Sequence, residues 1–308
     1  MSFVLKIERG SIELWQHQFA ELMPDMPVHI WPDYGDPADV EYIAMWTPVP
    51  DVVAKFPNLK LIFSLGAGVD QFDLSSLPPH IGLVRMIEPG LTAGMVEYVV
   101  AQVLSVHRDL PLYMQQQREC VWKVWPERVA AHTRVGIMGL GALGMPCAKA
   151  IASLGFITSG WNRSPRDIEG VTVFAGAEQR DAFLHQCDIV VCLLPLTDET
   201  RGMFNAELFA KLPKGASLIN AGRGPQVVAS DLLAALESGQ LSWAVLDVTV
   251  PEPLPAEDAL WKHPRVVITP HIASMTQPDS AVTSIIANIR RYQAGEALVG
   301  LVDRSRHY

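Results

Sequence analysis

The sequence has few cysteines, and they form no pattern. Four of its 308 residues are cysteine, namely Cys120, Cys147, Cys187 and Cys192, and they lack the spacing of metal ligands. Cys187 and Cys192 lie beside or within an apolar run that is typical of a buried strand. We therefore expect free thiols in the reducing cytoplasm, and no metal site.

Positive charge and long apolar runs are also scarce. Lys and Arg number 24 against 33 Asp and Glu, which gives a net charge of −9. Nucleic-acid binding needs a basic face, so we expect no nucleic-acid partner. No apolar stretch reaches membrane-spanning length without a charge, and the N-terminus carries charge from Lys6 on, unlike a signal peptide. The hydrophobic content of 49% is that of a globular protein, and the length suits two domains.

Glycine is present where a dinucleotide would need it. A short apolar run, 135–138, leads into Gly139-x-Gly141-x-x-Gly144, and apolar residues then recur at helical spacing. Strand, glycine turn and helix in this order make the pattern specific for dinucleotide binding. Gly139 permits a tight turn, Gly141 lets the backbone approach a pyrophosphate, and Gly144 lets the helix pack against the strand. The predicted cofactor contacts are Gly139, Gly141, Ala142 and Leu143.

Short apolar strands alternate with helical segments along the chain, which predicts two α/β domains with parallel sheets. A periodic segment from Thr92 predicts a helix that leaves the first domain, and a last helix at 285–292 returns to it. The first domain is therefore discontinuous, with residues 1–97 plus 277–308. Residues 98–276 form the second domain, which is Rossmann-like, whereas the first is Rossmann-like or flavodoxin-like.

The loop after the second strand of the dinucleotide domain contains no carboxylate at its start. In such folds an Asp or Glu about 20 residues past the glycines binds the adenosine ribose and repels a 2′-phosphate. Here the strand ends in Trp161-Asn162-Arg163-Ser164-Pro165-Arg166. Arginine offers forked donors to phosphate oxygens, so we predict NADPH in preference to NADH, with a solvated surface loop as the alternative. The predicted contacts are Asn162, Arg163, Ser164 and Arg166.

Three polar residues follow further strands of the same domain. Arg223 lies in Ala-Gly-Arg-Gly, Glu252 in Val-Pro-Glu-Pro and His271 in Thr-Pro-His-Ile-Ala. Ligands of open α/β sheets bind outside the carboxyl ends of the strands, so we expect these side chains in one crevice. Taken singly, each is explained as well by a structural role, because a lone Arg is usually solvated and a lone His often only donates a structural hydrogen bond.

Together the motifs resemble the D-isomer-specific 2-hydroxyacid dehydrogenase family over nearly the whole chain. The chain length and the cofactor loop look most like its glyoxylate/hydroxypyruvate reductase A branch. One departure is Thr249-Val250-Pro251, where the family carries an aromatic and an acidic residue. The matching motifs are Gly66-Ala67-Gly68-Val69-Asp70, the turn at 139–144, Leu194-Pro195-Leu196 with Thr200, Asn220-Ala221-Gly222-Arg223-Gly224, Leu246-Asp247-Val248 with Pro251-Glu252-Pro253-Leu254, and Pro270-His271-Ile272-Ala273.

The resemblance implies NADPH-dependent reduction of a small 2-oxo acid, with glyoxylate and hydroxypyruvate as the expected substrates. His271 would be the general acid, Glu252 its charged partner, and Arg223 the group that binds the carboxylate and polarises the carbonyl. Residues 1–97 plus 277–308 would be the substrate (catalytic) domain and residues 98–276 the NAD(P)-binding domain, with the substrate in a cleft between them. The implied substrate contacts are Ala67, Gly68, Val69 and Trp46, and the further cofactor contacts are Leu194, Pro195, Thr200, Ala221, Gly222, Arg223, Asp247 and His271.

Two other functions stay open. A related enzyme for a bulkier 2-oxo acid or for phosphoglycerate would carry the same motifs. A binding protein that senses the dinucleotide would use the same fold, but the intact Arg223, Glu252 and His271 argue against a purely non-catalytic role.

The polar segment Gln115–Arg128 carries two tryptophans, Trp122 and Trp125, and has no clear period. Tryptophans on such an arm suggest a packed interface. Packing on the same chain and contact with a second copy are equally open from the residues alone. With the family resemblance added, we expect a homodimer.

Overall fold

The computed structural model describes residues 1–305, and the chain divides into two compact units. One unit is Met1–Leu91 with Met275–Tyr308, and the other is Thr92–Ser274. The predicted junctions, 97/98 and 276/277, lie a few residues further along the chain. The assignment of one unit to substrate and the other to cofactor stays a prediction.

The first unit is built on a parallel sheet of five strands in the order β2-β1-β3-β4-β5. This is the flavodoxin-like order, in which the direction of winding changes between β1 and β3. The strands are β1 (Ser2–Lys6), β2 (Val28–Ile30), β3 (Val40–Met45), β4 (Leu61–Ser64) and β5 (Gly82–Val84); the helices with them are α1 (Ile12–Leu22), α2 (Val52–Lys55), the start of α3 (Pro89–His107) and α9 (Pro278–Gln293).

The central strands of this sheet are nearly continuous apolar runs because both of their faces are covered. On one face Phe3, Phe63 and other strand residues pack with Phe19 of α1 and Ile285 of α9. On the other face Ile43 and its neighbours pack with the α2 segment.

The second unit contains a parallel sheet of seven strands in the order β12-β11-β10-β9-β6-β7-β8. The strand order reverses between β6 and β9, as in a Rossmann fold, so the α/β fold with two parallel sheets is confirmed. The strands are β6 (Arg134–Met138), β7 (Ile157–Asn162), β8 (Thr172–Ala175), β9 (Ile189–Cys192), β10 (Ala216–Asn220), β11 (Leu241–Leu246) and β12 (Val266–Ile268); the helices are the rest of α3, α4 (Leu110–Arg118), α5 (Gly144–Ser153), α6 (Arg180–Leu184), α7 (Ala206–Lys211) and α8 (Ala229–Glu237).

Within residues 1–305, α3 is the one helix long and apolar enough to cross a membrane. Its side chains Met95, Val99 and Val103 belong to the hydrophobic core of the second unit. Burial against protein therefore accounts for its apolar composition, as in the core helix of many α/β proteins.

Candidate active site

The glycine turn of the second unit has the geometry that the sequence predicts. Gly139 follows β6 with a φ of +100°, a left-handed conformation that glycine adopts without strain. A Cβ on Gly144, the first residue of α5, would overlap the carbonyl oxygen of Gly139. A Cβ on Gly141 would meet nothing within 4 Å. Gly144 is thus packed against the backbone of Gly139, whereas the space beside Gly141 is empty. That space lies in front of the N-terminus of α5, and helix N-termini bind anions.

The loop after β7 adjoins this turn. β6 and β7 pair in parallel, with Met138 opposite Trp161, and the Gly139 amide donates to the Trp161 carbonyl at 2.8 Å. Asn162 Nδ2 donates to the Ser164 carbonyl at 3.0 Å, which folds the loop back on itself. The residues that follow Asn162 in this loop, Arg163 to Arg166, are exposed and cationic rather than acidic.

The loop after β9 lies on the other side of the glycine turn. β6 and β9 are neighbours in the sheet, with Met138 opposite Cys192. Thr200 is buried, and its hydroxyl donates to the Pro195 carbonyl at 2.7 Å and accepts from the Thr197 amide at 2.9 Å. The Thr200 hydroxyl therefore shapes the 194–200 loop from within.

Arg223 follows β10 and is fixed through its own backbone. Its amide donates to Gln226 Oε1 at 2.7 Å, and its carbonyl accepts from Asn220 Nδ2 at 3.1 Å. A Cβ on Gly224 would overlap the Thr249 carbonyl, so the Arg223 loop lies directly against the loop that carries Glu252. Glycine at 224 is what permits this close approach.

His271 and Glu252 form a hydrogen-bonded pair. Glu252 Oε2 lies 2.8 Å from His271 Nδ1, and Glu252 Oε1 accepts from the Thr249 amide at 3.0 Å. Burial by itself would raise the pKa of the Glu252 carboxyl. Hydrogen bonds from His271 and Thr249, with the nearby charges of His271 and Arg223, outweigh burial and hold that pKa below its ordinary value. Glu252 is therefore an anion at neutral pH.

Asp247, after β11, holds the backbone of the histidine loop. It is 2% exposed, and its carboxylate accepts from the Ile272 amide at 2.9 Å and the Ala273 amide at 2.8 Å. Thr269 Oγ1 donates to the same carboxylate at 2.6 Å and lies 2.7 Å from the Tyr98 hydroxyl. The sequence predicts cofactor contact for Asp247, and the structure adds this role in anchoring residues 269–273.

In the first unit, Trp46 lies on the glycine loop that follows β4. A Cβ on Gly66 would overlap the Trp46 ring, so only glycine lets the half-buried indole rest on the backbone here. Ser64 Oγ donates to the Gly68 carbonyl at 3.0 Å, and Gln71 Nε2 donates to the Trp46 carbonyl at 3.2 Å. Trp46 and the 67–69 amides, which come from separate parts of the sequence, are thus brought together.

The three loops that carry Arg223, Glu252 and His271 follow β10, β11 and β12, which are consecutive in the sheet. This strand order places the three loops at one edge of the sheet, and the expectation that the three side chains share one crevice stays a prediction. Sequence reasoning missed Gln226 and Tyr98. Gln226 carries one signal that could have revealed it, because it stands three residues after Arg223, the spacing of a side chain that caps a short helical turn.

No group of three or more His, Cys, Asp or Glu side chains among residues 1–305 has the arrangement of a metal site.

Comparison with known proteins agrees with this geometry. The family model for the NAD-binding domain of D-isomer-specific 2-hydroxyacid dehydrogenases matches residues 100–273. The chain is 41% identical over 299 residues, 95% of each sequence, to glyoxylate/hydroxypyruvate reductase A of Serratia proteamaculans.

Two solved structures are similar over the whole chain. A D-isomer-specific 2-hydroxyacid dehydrogenase of Xanthobacter autotrophicus, in complex with NADPH and MES, matches with a TM-score of 0.93 and 40% identity, covering 100% of this chain and 99% of that one. An NADPH-dependent glyoxylate/hydroxypyruvate reductase of Sinorhizobium meliloti, in complex with NADP and sulfate, matches with a TM-score of 0.92 and 37% identity over 100% of both chains.

Proposed function

The chain belongs to the D-isomer-specific 2-hydroxyacid dehydrogenase family of oxidoreductases, and on that basis we propose that it reduces glyoxylate to glycolate and hydroxypyruvate to D-glycerate with NADPH. The observation that carries this proposal is the 2.8 Å pair between Glu252 and His271, which stands on the same sheet edge as Arg223.

His271 is the general acid of the proposed reaction. The carbonyl oxygen of a 2-oxo acid gains negative charge during reduction and needs a proton, which an imidazolium can give at neutral pH. Glu252 bonds Nδ1, so it orients the ring and directs Nε2 toward the substrate.

Arg223 binds the substrate carboxylate and polarises the carbonyl, since its forked N–H groups match carboxylate geometry. In the first unit, the amides of Ala67, Gly68 and Val69 are the proposed contacts for a carboxylate. Trp46, which rests on Gly66, limits the size of the 2-oxo acid.

The residues of the second unit fit NADPH, a dinucleotide that carries a 2′-phosphate. The open space beside Gly141 and the N-terminus of α5 suit a pyrophosphate. The cationic loop after β7, with Arg163 and Arg166 and no carboxylate before Asp167, suits a 2′-phosphate. NADPH, when bound, supplies the hydride. The 194–200 loop and residues 221–223 complete the proposed cofactor contacts.

The test is NADPH oxidation by the purified protein against glyoxylate, hydroxypyruvate, pyruvate and a bulky 2-oxo acid, repeated with NADH. We expect the highest kcat/KM with the two small substrates and NADPH. In the Arg163→Ala variant, the KM for NADPH should rise on the order of tenfold while the KM for NADH changes little, because one phosphate contact is worth about 1.4 kcal/mol or more. Absence of turnover on all four acids would refute the reductase and favour a dinucleotide sensor.

We propose further that the protein is a cytoplasmic homodimer. All four cysteines are free thiols, as is usual in a reducing compartment. Burial raises the pKa of the Cys147, Cys187 and Cys192 thiols to about 12, which makes these three unreactive. Trp122 is 99% exposed and Val124 is 80% exposed, which gives the arm an apolar surface that a second copy would cover.

A further inference from the structure

The side chain of Gln226 is completely buried, and its amide uses all of its hydrogen-bonding capacity. Oε1 accepts from the Arg223 amide at 2.7 Å and from the Cys192 thiol at 3.4 Å. Nε2 donates to the Leu194 carbonyl and to the Pro195 carbonyl, both at 3.1 Å. One side chain thus joins the loop after β9 to the backbone of Arg223.

The orientation of this amide follows from its partners. A backbone N–H can only donate and a carbonyl oxygen can only accept, so Oε1 must face Arg223 and Nε2 must face Leu194 and Pro195. A Cβ on Gly222 would overlap Oε1, so a glycine before Arg223 is what lets the amide reach the backbone. This bridge between the Arg223 amide and the Leu194 and Pro195 carbonyls therefore depends both on the amide of Gln226 and on the absence of a side chain at Gly222.

The two ends of the bridge differ in how much they depend on Gln226. The Pro195 carbonyl also accepts from Thr200 Oγ1 at 2.7 Å, so the loop after β9 keeps an anchor without the amide. The Arg223 carbonyl has its own partner in Asn220 Nδ2, but the Arg223 amide is bonded to Gln226 Oε1. Loss of the acceptor therefore removes one of the two anchors of the Arg223 backbone, the one at its amide, and leaves the anchor at its carbonyl.

We propose that Gln226 is a positioning residue that sets Arg223 in register with the 194–195 loop, so that substrate carboxylate and cofactor are held in one geometry. The proposal rests on the proposed function, because it takes Arg223 as the substrate group and 194–195 as cofactor contacts. A displacement of about 1 Å at such a group can cost on the order of 100-fold in rate.

The first variant is Gln226→Met, which keeps the volume and removes both the acceptor and the donor. We expect the KM for glyoxylate to rise about tenfold or more and kcat to fall, while the KM for NADPH changes by less than about threefold. The split between the two KM values follows from the anchor that Thr200 retains on Pro195.

The second variant, Gln226→Glu, keeps the acceptor for the Arg223 amide and replaces the NH2 group that donates to the Leu194 and Pro195 carbonyls. Burial beside two carbonyl oxygens raises the pKa of the new carboxyl. Below that pKa the neutral carboxyl accepts from the Arg223 amide and donates to one carbonyl, so both KM values should stay near those of the wild type. Above that pKa the carboxylate still accepts from the amide but repels the carbonyls of Leu194 and Pro195, so the KM for NADPH should show the larger rise, which reverses the split seen with Gln226→Met. If Gln226→Met does not fold, this reversed split alone decides the proposal.

The matched control is Gln240→Met. Gln240 also bridges two carbonyls of the second unit, those of Phe209 and Leu212, at 2.8 and 3.0 Å. Gln240 is half-buried and makes two such bonds, so we expect a smaller loss of thermal stability, with both KM values within about twofold of the wild type. Equal kinetic effects of Gln226→Met and Gln240→Met, wild-type constants in folded Gln226→Met, or a KM for NADPH in Gln226→Glu that does not rise with pH, would overturn the proposal. Failure of the proposed function would appear separately, as lack of turnover in the wild type.

Discussion

His271 has a backbone φ of +54°, a left-handed conformation that residues other than glycine seldom adopt. Its own amide donates to the Asp247 carbonyl at 2.8 Å, and the next two amides, of Ile272 and Ala273, donate to the Asp247 carboxylate. Strain of this kind costs about 1–3 kcal/mol and persists where the surroundings enforce it, most often at functional sites. The turn directs the imidazole to Glu252, which agrees with a role for this histidine in proton transfer.

Substitution of Glu252 by Gln should move the pH dependence of reduction. The Glu252 carboxylate, which is ionised at neutral pH, places a negative charge 2.8 Å from His271 Nδ1, and the amide of Gln does not. Because reduction consumes a proton, loss of this charge should shift the falling limb of the pH–rate profile at high pH toward lower pH by about one unit. The measurement is kcat/KM for glyoxylate across the pH range.

Glu257→Gln is the control for this shift, since Glu257 is an exposed carboxylate on the same stretch of chain. Its profile should match that of the wild type. If the falling limb of the pH–rate profile stays in place in Glu252→Gln, or moves to higher pH, the charge of Glu252 has no part in the proton transfer by His271.

Some residues of the candidate site can be predicted from neighbouring sequence, whereas others depend on contacts with residues far away in the chain. Arg223, Glu252 and His271 are part of local motifs, so the sequence predicts them. Asp247 is also in a motif, but its bonds to the 269–273 backbone depend on the pairing of β11 with β12. Gln226 meets the carbonyls of Leu194 and Pro195, some thirty residues away in the chain, and no single-sequence pattern gives that contact.

At the scale of elements, one carboxylate caps two helices. Glu88 Oε1 accepts from the Leu91 amide at 2.7 Å, and its other oxygen accepts from the Gly90 amide at 2.5 Å, at the start of α3. The Gln277 amide and the Ser280 hydroxyl, at the start of α9, donate to the same carboxylate at 3.3 and 2.5 Å. A negative charge at two helix N-termini is stabilising at both.

The variant Glu88→Gln should lower the free energy of unfolding by about 2 kcal/mol, because hydrogen bonds to a charged acceptor are lost and an amide N–H faces donors. Urea unfolding followed by circular dichroism measures the change. Glu41→Gln is the control, since Glu41 pairs with Lys60 at 2.7 Å near the surface of the same unit and should contribute under about 1 kcal/mol. Equal midpoints for the two variants would contradict the capping role of Glu88.

Some elements depart from what the sequence predicts, and the reasons are physical. The sequence analysis missed the strand β8, Thr172–Ala175, because it is a four-residue edge strand, too short to be told from a loop although Val173-Phe174-Ala175 is apolar. The periodic segment predicted from Thr92 begins as a helix at Pro89, where Glu88 supplies the cap. The first part of the predicted arm is helical, because α4 runs to Arg118 and buries Gln116.

At the scale of the whole molecule, alternating strands and helices are enough to predict two parallel sheets and their class. The strand orders, which reverse at β6 and β9 in one unit and at β1 and β3 in the other, agree with that class. The sequence alone leaves the surface of the arm undecided, because an exposed tryptophan and a packed one look the same in a polar segment.

The structure separates the two tryptophans of the arm. Trp125 packs on its own chain: its Nε1 donates to Gln116 Oε1 at 2.7 Å, and Lys123 Nζ lies 4.1 Å from the centre of its ring. Trp122 is 99% exposed. Packing on the same chain therefore explains Trp125, whereas the exposed Trp122 is the side chain of the arm that the proposed homodimer would cover.

Substitution of Trp122 by Ser should weaken the proposed homodimer and leave the fold of each copy intact. Loss of a central aromatic side chain from an interface typically costs about 2 kcal/mol or more, which is a rise in Kd on the order of 30-fold. Analytical ultracentrifugation over a concentration series measures it. Trp261→Ser is the control, because Trp261 is half-exposed and its Nε1 donates to the Pro255 carbonyl of the same chain. If the dimer Kd is the same for Trp122→Ser and Trp261→Ser, or if the wild type is a monomer, the arm is excluded as the dimer contact.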